Sequence, residues 1–265
     1  MSTTIAGGRL RPELLDLVRP AAFVPVRAPA ERAREVLCGA GAVIIEASPG
    51  GPEVLVETAA ALLGTRLRQL FPIRRLAGKQ ADRLDLHSDG AVLTVDVHGR
   101  AVKLRDPDED YLFLRCATPA PEGGDSFMVD GHRLLDQLAI GRPALHAFLT
   151  GVDVDYFGGW TDPGRGTATT PLVRRLVECT RAGRRVVRAS DYARPVPREP
   201  EWEVHEERLR EYADVLATCT AATPRFRLGA GEILALDNYR FLHGRDGYTG
   251  TRLMHVLSVL SSDAM

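Results

Sequence analysis

His87 and Asp89 carry the first chemical signal in this chain. They stand two apart at the end of a strand pattern, in Leu84-Asp85-Leu86-His87-Ser88-Asp89-Gly90. Side chains alternate between the two faces of a strand, so residues two apart point the same way. An imidazole beside a carboxylate makes two corners of a metal site, and the third has to come from elsewhere. A candidate is His243, in Leu236-Asp237-Asn238-Tyr239-Arg240-Phe241-Leu242-His243-Gly244-Arg245. That segment continues the apolar run Ile233-Leu234-Ala235-Leu236, which places His243 at the end of an expected core strand. Two histidines and one carboxylate on one side of iron(II) leave three positions open, enough for a chelating co-substrate and dioxygen together. Plainer readings stand beside this one. H-x-D is also the sequence of a solvated turn, and a histidine between Leu242 and Gly244 is also a satisfied core residue.

Two further positions bear on the choice. Nine residues after His243, Arg252 opens Thr251-Arg252-Leu253-Met254-His255-Val256-Leu257, which reads as a buried strand. A permanently charged guanidinium near a buried strand needs an anion. The far carboxylate of 2-oxoglutarate, held in a bidentate fork, is an anion that fits. Gly123-Gly124-Asp125-Ser126 precedes Phe127-Met128-Val129. Its glycines admit a tight approach, and the Ser126 hydroxyl can bond the same carboxylate, although the segment is also a plain β-turn. The remaining histidines, His98, His132, His146, His205 and His255, read as non-ligands.

The elements that must position these residues are mostly short strands. Of 265 residues, 45% are apolar and 26% charged, with a formal net charge of -1. This is an ordinary globular composition with a sizeable core, and no basic excess argues for nucleic acid. Cys38, Cys116, Cys179 and Cys219 are far apart and form no C-x-x-C pair, so they read as reduced thiols. No secretory pattern opens the chain and no apolar run approaches a membrane span, so a cytoplasmic protein is expected. Helical patterns occupy 12–18, 30–38 and 52–63, with a buried strand over 42–45 between the last two. From about residue 68, strand patterns dominate: 70–73, 83–87, 111–116, 126–129, 152–157, 185–188, 232–236 and 252–260. Helices are expected over 131–140 and 201–220, the second amphipathic and lying outside a sheet. Mostly β with flanking helices, this pattern reads as a sandwich or jelly roll.

The ordered blocks L-H-S-D-G, P-x-x-x-Y-L-F-L-R-C (residues 107–116), G-G-D-S and D-N-Y-R-F-L-H-G-R with a downstream arginine resemble the TauD/clavaminate synthase-like superfamily of iron(II)/2-oxoglutarate dioxygenases. The last block is especially similar to that of γ-butyrobetaine hydroxylase-like members. The match runs over roughly 84–258. The resemblance implies a double-stranded β-helix (jelly roll, cupin-like) in a single oxygenase domain over 1–265, with 1–70 a helical and strand lead-in and 71–265 the jelly-roll core with helical insertions. It implies His87, Asp89 and His243 as iron(II) ligands, and Arg252 with Ser126 for 2-oxoglutarate. It further implies dioxygen as the oxidant, with 2-oxoglutarate decarboxylated to succinate. Asp89 stands where related halogenases carry a small residue, which favours oxygenation over halogenation. Asp237, Asn238 and Arg240 either orient His243 or form a structural turn. Arg245 is either a contact for a substrate carboxylate or a salt-bridge residue.

In such proteins the loops at the barrel mouth set specificity. Here those are 74–85, 88–110 and 156–170, carrying Arg74, Arg75, Lys79, Gln80, Arg83, Asp85, Tyr156 and Trp160. Cations for a carboxylate and Asp85 for an amine suit a small zwitterion. The expectation is therefore hydroxylation of an amino acid or similar small acid. Desaturation or cyclisation by the same chemistry is the alternative, and a non-catalytic jelly-roll metal-binding or sensor protein is the alternative of another class.

Overall fold

A computed structural model describes residues 8–47, 49–106, 109–156, 158, 172–196 and 200–264, with the backbone alone over 91–97 and 100–106. In chain order the strands are β1 (Ala22–Phe23), β2 (Val26–Ala28), β3 (Ala42–Ile45), β4 (Leu67–Leu70), β5 (Arg74–Ala81), β6 (Leu84–His87), β7 (Ala91–Val97), β8 (Arg100–Asp106), β9 (Tyr111–Thr118) and β10 (Glu122–Gly123). There follow β11 (Ser126–Asp130), β12 (Asp153–Asp155), β13 (Val173–Arg175), β14 (Val177–Cys179), β15 (Arg185–Val187), β16 (Arg194–Pro195), β17 (Ile233–Asp237), β18 (Phe241–Arg245) and β19 (Tyr248–Ser261). The helices are α1 (Leu15–Val18), α2 (Ala30–Ala40), α3 (Val54–Leu63), α4 (Gly131–Gly141), α5 (Pro143–Gly151) and α6 (Trp202–Ala222).

A minor sheet runs β1-β11-β18-β6 and a major sheet β10-β19-β9-β17-β3-β2, with β4 and β5 also paired to β19. Period-two alternation decides what each sheet shows its partner. Met128 and Phe241 of the minor sheet pack with Ile44, Leu112, Leu234, Leu236, Met254 and Val256 of the major one, forming the core between the sheets. The other minor face carries Leu86, Phe127, Val129 and Leu242 against α1, α4, α5 and α6. The other major face carries Val43, Ile45, Phe113, Ala235 and Leu257 against α2 and α3. This is the jelly roll with flanking helices that the strand pattern predicted.

Several expectations change in detail. Residues 74–81 form a strand, not a mouth loop. Their charges are poor strand formers on their own, and pairing with the long β19 from Arg74↔Val256 to Ala81↔Tyr248 overrides them. Much of 88–110 is a hairpin, β7–β8, in register from Ala91↔Asp106 to Val97↔Arg100. His98 and Gly99 at its tip have φ of 54° and 77°, the left-handed pair that a two-residue hairpin turn requires. His243 does not continue β17. The chain turns at residues 238–240, leaves the major sheet and re-enters the minor sheet as β18. Arg252 lies within β19 and does not open it. Helix α5, with Pro143 in its first turn, is an addition to the sequence reading. Most of 156–170, including Trp160, lies outside the described residues.

Candidate metal centre

Strand alternation brings the predicted ligands together. On β18, Leu242 and Gly244 face the helices, so Phe241, His243 and Arg245 face the major sheet. On β6, Leu86 faces the helices, so His87 faces inward as well, while a register shift against β18 interrupts the alternation before Asp85. The two strands are antiparallel with His243 directly opposite His87, and the imidazole centroids are 4.5 Å apart. Asp89, two residues past the end of β6, folds back onto them. Its Oδ1 lies 3.1 Å from His87 Nε2 and 3.9 Å from His243 Nε2. Donor atoms of the three residues all fall within 4.8 Å of one another. Adjacent ligands of a metal with bonds of about 2.1 Å stand about 3 Å apart, so this donor set fits a facial triad.

The surroundings fix how each donor is presented. His87 Nδ1–H donates to the Asp85 carbonyl at 2.8 Å, which leaves Nε2 aimed at Asp89. Burial works against the His87 cation, but the hydrogen bond and charge of Asp89 outweigh it and raise its pKa. His243 responds the other way: burial, then the neighbouring His87, push it down to about 3. Burial pushes the Asp89 carboxyl up, yet the His87 hydrogen bond and the charges of His243, His87 and Arg74 hold it well below the usual carboxylate range. Neutral imidazole on His243 and an ionised Asp89 are the forms that bind metal.

Asn238 is fully buried, and it does not orient His243. Its Oδ1 accepts from Asp89 N–H at 3.1 Å, and its Nδ2 donates to the carbonyls of Asp89 at 2.9 Å and Glu109 at 2.8 Å. Asp237 pairs with Arg184 at 2.9 Å, and Arg240 with Asp130 at 2.7 Å. The D-N-Y-R segment therefore holds the ligand loop and the corner between sheets. The other oxygen of Asp89, Oδ2, accepts from Arg74 Nη2 at 2.9 Å. Neither contact was readable from sequence, because Asn238 is 149 residues from Asp89 and Arg74 is on a strand that its own composition conceals.

Ser126 and Arg252 line one small cavity together with Gly124, Cys116, Arg227 and Met254. Ser126 sits one inward step along β11 from Met128, which pairs with His243. The glycines before it are required: Gly123 has φ +67°, and a Cβ there would sit 2.2 Å from the Gly247 carbonyl oxygen. Burial and the nearby Arg245 disfavour the Arg252 cation, a cost that a bound anion relieves. Among the described residues no carboxylate comes within ion-pair distance of Arg252, and its nearest aromatic face, Tyr248, is 5.5 Å away. Arg227 shares this cavity and was not anticipated.

A cavity of about 290 Å³ opens on His87 and Asp89 and is lined by Arg74, Asp85, Tyr156 and Asp191 as well. Ser88 Oγ and Tyr156 Oη, 3.0 Å apart, tie the ligand loop to the 189–192 segment, where Tyr156 also donates to the Ala189 carbonyl. Of the residues expected near the substrate, Arg74, Asp85 and Tyr156 line this cavity, and Gln80, Arg83 and Arg245 do not. Gln80 is exposed on β5. Arg83 makes an exposed pair with Asp85 at 2.8 Å. Arg245 donates to the carbonyls of Asp82 and Asp246 and lies 4.9 Å from the Tyr248 ring centroid, so its bonds are to backbone and not to a carboxylate.

Fold and donor set together define a jelly-roll protein with a His-Asp-His group between its sheets that could hold a metal ion. The chain belongs to the taurine catabolism dioxygenase TauD, TfdA family, whose model matches residues 13–258. Human γ-butyrobetaine dioxygenase is 27% identical over 160 residues, covering 57% of this chain and 39% of the human protein, and the Pongo abelii protein matches equally. The chain thus spans about two fifths of the length of these relatives. A taurine dioxygenase structure from Burkholderia xenovorans superposes with a TM-score of 0.58 at 19% identity, covering 91% of this chain and 90% of that one. The PvcB structure from Pseudomonas aeruginosa gives 0.56 at 14% identity, covering 88% and 82%. At these identities the likeness is one of fold.

Proposed function

We propose that the protein is an iron(II)- and 2-oxoglutarate-dependent oxygenase that hydroxylates an amino acid or similar small zwitterionic acid. The observation that carries the reading is the convergence of His87, Asp89 and His243 within 4.8 Å. The Ser126–Arg252 cavity supports it, because a simple metal-binding or sensor module needs no anion clamp. In this reading the three residues hold iron(II), and Arg252 with Ser126 takes the far carboxylate of 2-oxoglutarate in a charge-assisted bond. The bound iron, with 2-oxoglutarate and dioxygen, supplies an oxidant strong enough for an unactivated C–H bond. The protein's part is to aim the donors, exclude water and present the substrate. Asp85 and Asp191 put carboxylates on the cavity wall, which suits a substrate ammonium. The relative named for γ-butyrobetaine gives the same direction. A cytoplasmic location fits the four free thiols, and among the described residues no helix is long and apolar enough to cross a membrane.

The test is a panel of amino acids and amines incubated with protein, iron(II), ascorbate and 2-oxoglutarate, read by succinate release and product mass. A substrate-stimulated release with a gain of one oxygen is expected, and loss of two hydrogens would assign desaturation or cyclisation instead. Alanine at His87, Asp89 or His243 should abolish stimulated release. Retention of full turnover in the His87 or His243 variant would overturn the assignment.

A further inference from the structure

Arg74 invites the reading of a substrate-carboxylate contact, since it is a cation beside the candidate metal centre. The geometry points elsewhere. Arg74 begins β5 opposite Val256 of β19, and this register turns it toward the interior between the sheets. There one nitrogen, Nη2, makes both of its hydrogen bonds, to Asp89 Oδ2 at 2.9 Å and to Ser258 Oγ at 3.2 Å. Asp89 has its main chain fixed by Asn238 on one side and its outer oxygen occupied by Arg74 on the other. Only Oδ1 remains, and it is the oxygen facing both imidazoles.

A carboxylate that can rotate offers a metal either one oxygen or two. A guanidinium seated on Oδ2 removes the second choice. We propose that Arg74 is a positioning residue that makes Asp89 a one-oxygen ligand, keeping the remaining metal positions for co-substrate and dioxygen. This rests on the ligand set proposed above. The cation also withdraws charge from the carboxylate, which by itself weakens its hold on a metal. Ordering of the ligand acts in the opposite direction and is the larger effect, since loss of a group that orients a ligand weakens metal binding about tenfold to hundredfold. Arg74 is thereby committed to Asp89, which leaves Asp191, with Asp85 in its pair with Arg83, as the acidic groups facing a substrate at this wall.

The experiment is titration of the metal-free protein with Mn(II), following free Mn(II) by EPR and recording the line shape of the bound ion, with thermal melting of the metal-free form alongside. Arg74→Gln is expected to bind Mn(II) at least about tenfold more weakly, with an altered line shape and an unchanged melting temperature. Ser258→Ala removes the other hydrogen bond of the same nitrogen and leaves the ion pair, so it is expected to keep wild-type affinity and line shape. Wild-type affinity and line shape in Arg74→Gln would overturn the proposal, as would an equal loss in Ser258→Ala, which would assign the effect to loosened strand packing. Should Arg74→Gln not fold, Arg74→Met, which keeps the stem along the strand, carries the same comparison. If the wild-type protein itself binds no Mn(II), the metal reading falls and this inference with it. If it binds and Arg74→Gln binds equally, only the role of Arg74 falls.

Discussion

On the proposed reading, removing Arg252 or Asn238 should separate co-substrate binding from metal binding. Arg252 is a partly buried cation with no carboxylate partner among the described residues, so its environment is arranged for an anion. A hydrogen bond to a charged group contributes about 1.5–3 kcal/mol, or roughly tenfold to hundredfold in affinity. Arg252→Ala should therefore raise the 2-oxoglutarate concentration for half-saturation by about that factor and leave Mn(II) affinity nearly unchanged. Asn238→Ala should do the reverse. It strands the Asp89 N–H and two buried carbonyls, costing about 2 kcal/mol or more of stability by denaturant melting, and it loosens the Asp89 loop that presents the metal ligand. The three residues that converge, His87, Asp89 and His243, were legible in the sequence because each sits in a short block whose order and spacing are informative. Asn238 lies in such a block too, but its target is on another strand, and residue order says nothing about which ligand it serves. Arg83 and Gln80 were read as substrate contacts from residue type and position alone, and Arg245 as either such a contact or a salt-bridge residue. Gln80 is exposed on β5, Arg83 lies between β5 and β6, and the Arg245 guanidinium is held by the Asp82 and Asp246 carbonyls, so none of the three lines the cavity.

At the scale of elements, the site depends on how closely β6 and β11 lie against β18, one on each side. Gly244 faces away from the ligands, and a Cβ there would stand 2.4 Å from the Phe127 ring and 2.6 Å from the Leu84 carbonyl oxygen. Neither neighbour has room to give, since Phe127 is fully buried and the carbonyl belongs to β6. Gly244→Ala should cost about 1–3 kcal/mol in thermal or denaturant unfolding. It should also weaken Mn(II) binding, because the displaced strand carries His87. Phe127→Leu in the same background should recover part of both, if the clash with the ring is the cause. The strands rich in apolar residues were legible, as were the helices bounded by glycine and proline. Strand β5 was not, because Arg-Arg-Leu-Ala-Gly-Lys-Gln-Ala has no alternating apolar face and is a strand only through its partner. Strand β18 was merged with β17 because both are apolar, and a three-residue corner between sheets has no composition of its own.

Across the whole molecule, four layers stack as helices, major sheet, minor sheet and helices. One charged staple ties the rim of the major sheet to the β14–β15 hairpin. Arg184, at the tip of that hairpin, pairs with Asp110 ahead of β9 and with Asp237 at the end of β17. Its guanidinium carbon lies 5.2 Å and 4.9 Å from the Tyr111 and Tyr239 ring centroids. Asp110 is completely buried and also receives the Ser261 hydroxyl and N–H at the end of β19. Removing one partner of a buried pair leaves an uncompensated charge and costs about 3–5 kcal/mol. Arg184→Met should lose stability of that order in chemical denaturation. Jelly-roll architecture was legible from the count and spacing of strands. This staple was not, since its members are spread from Asp110 to Ser261 and none sits in a recognisable block.

Strand β6 is only four residues long, lies at the outer edge of the minor sheet and, among the described residues, pairs with β18 alone. On the proposed reading, an ion shared by its last residue, the loop beyond it and the neighbouring strand would join that edge to the interior. Edge opening and ion release then belong to one thermodynamic cycle: each unit of free energy gained by loading the site is added to the cost of peeling the strand away. Amide exchange of residues 84–87 becomes a gauge of occupancy, fast in chelator and slow when loaded, even when no substrate is known.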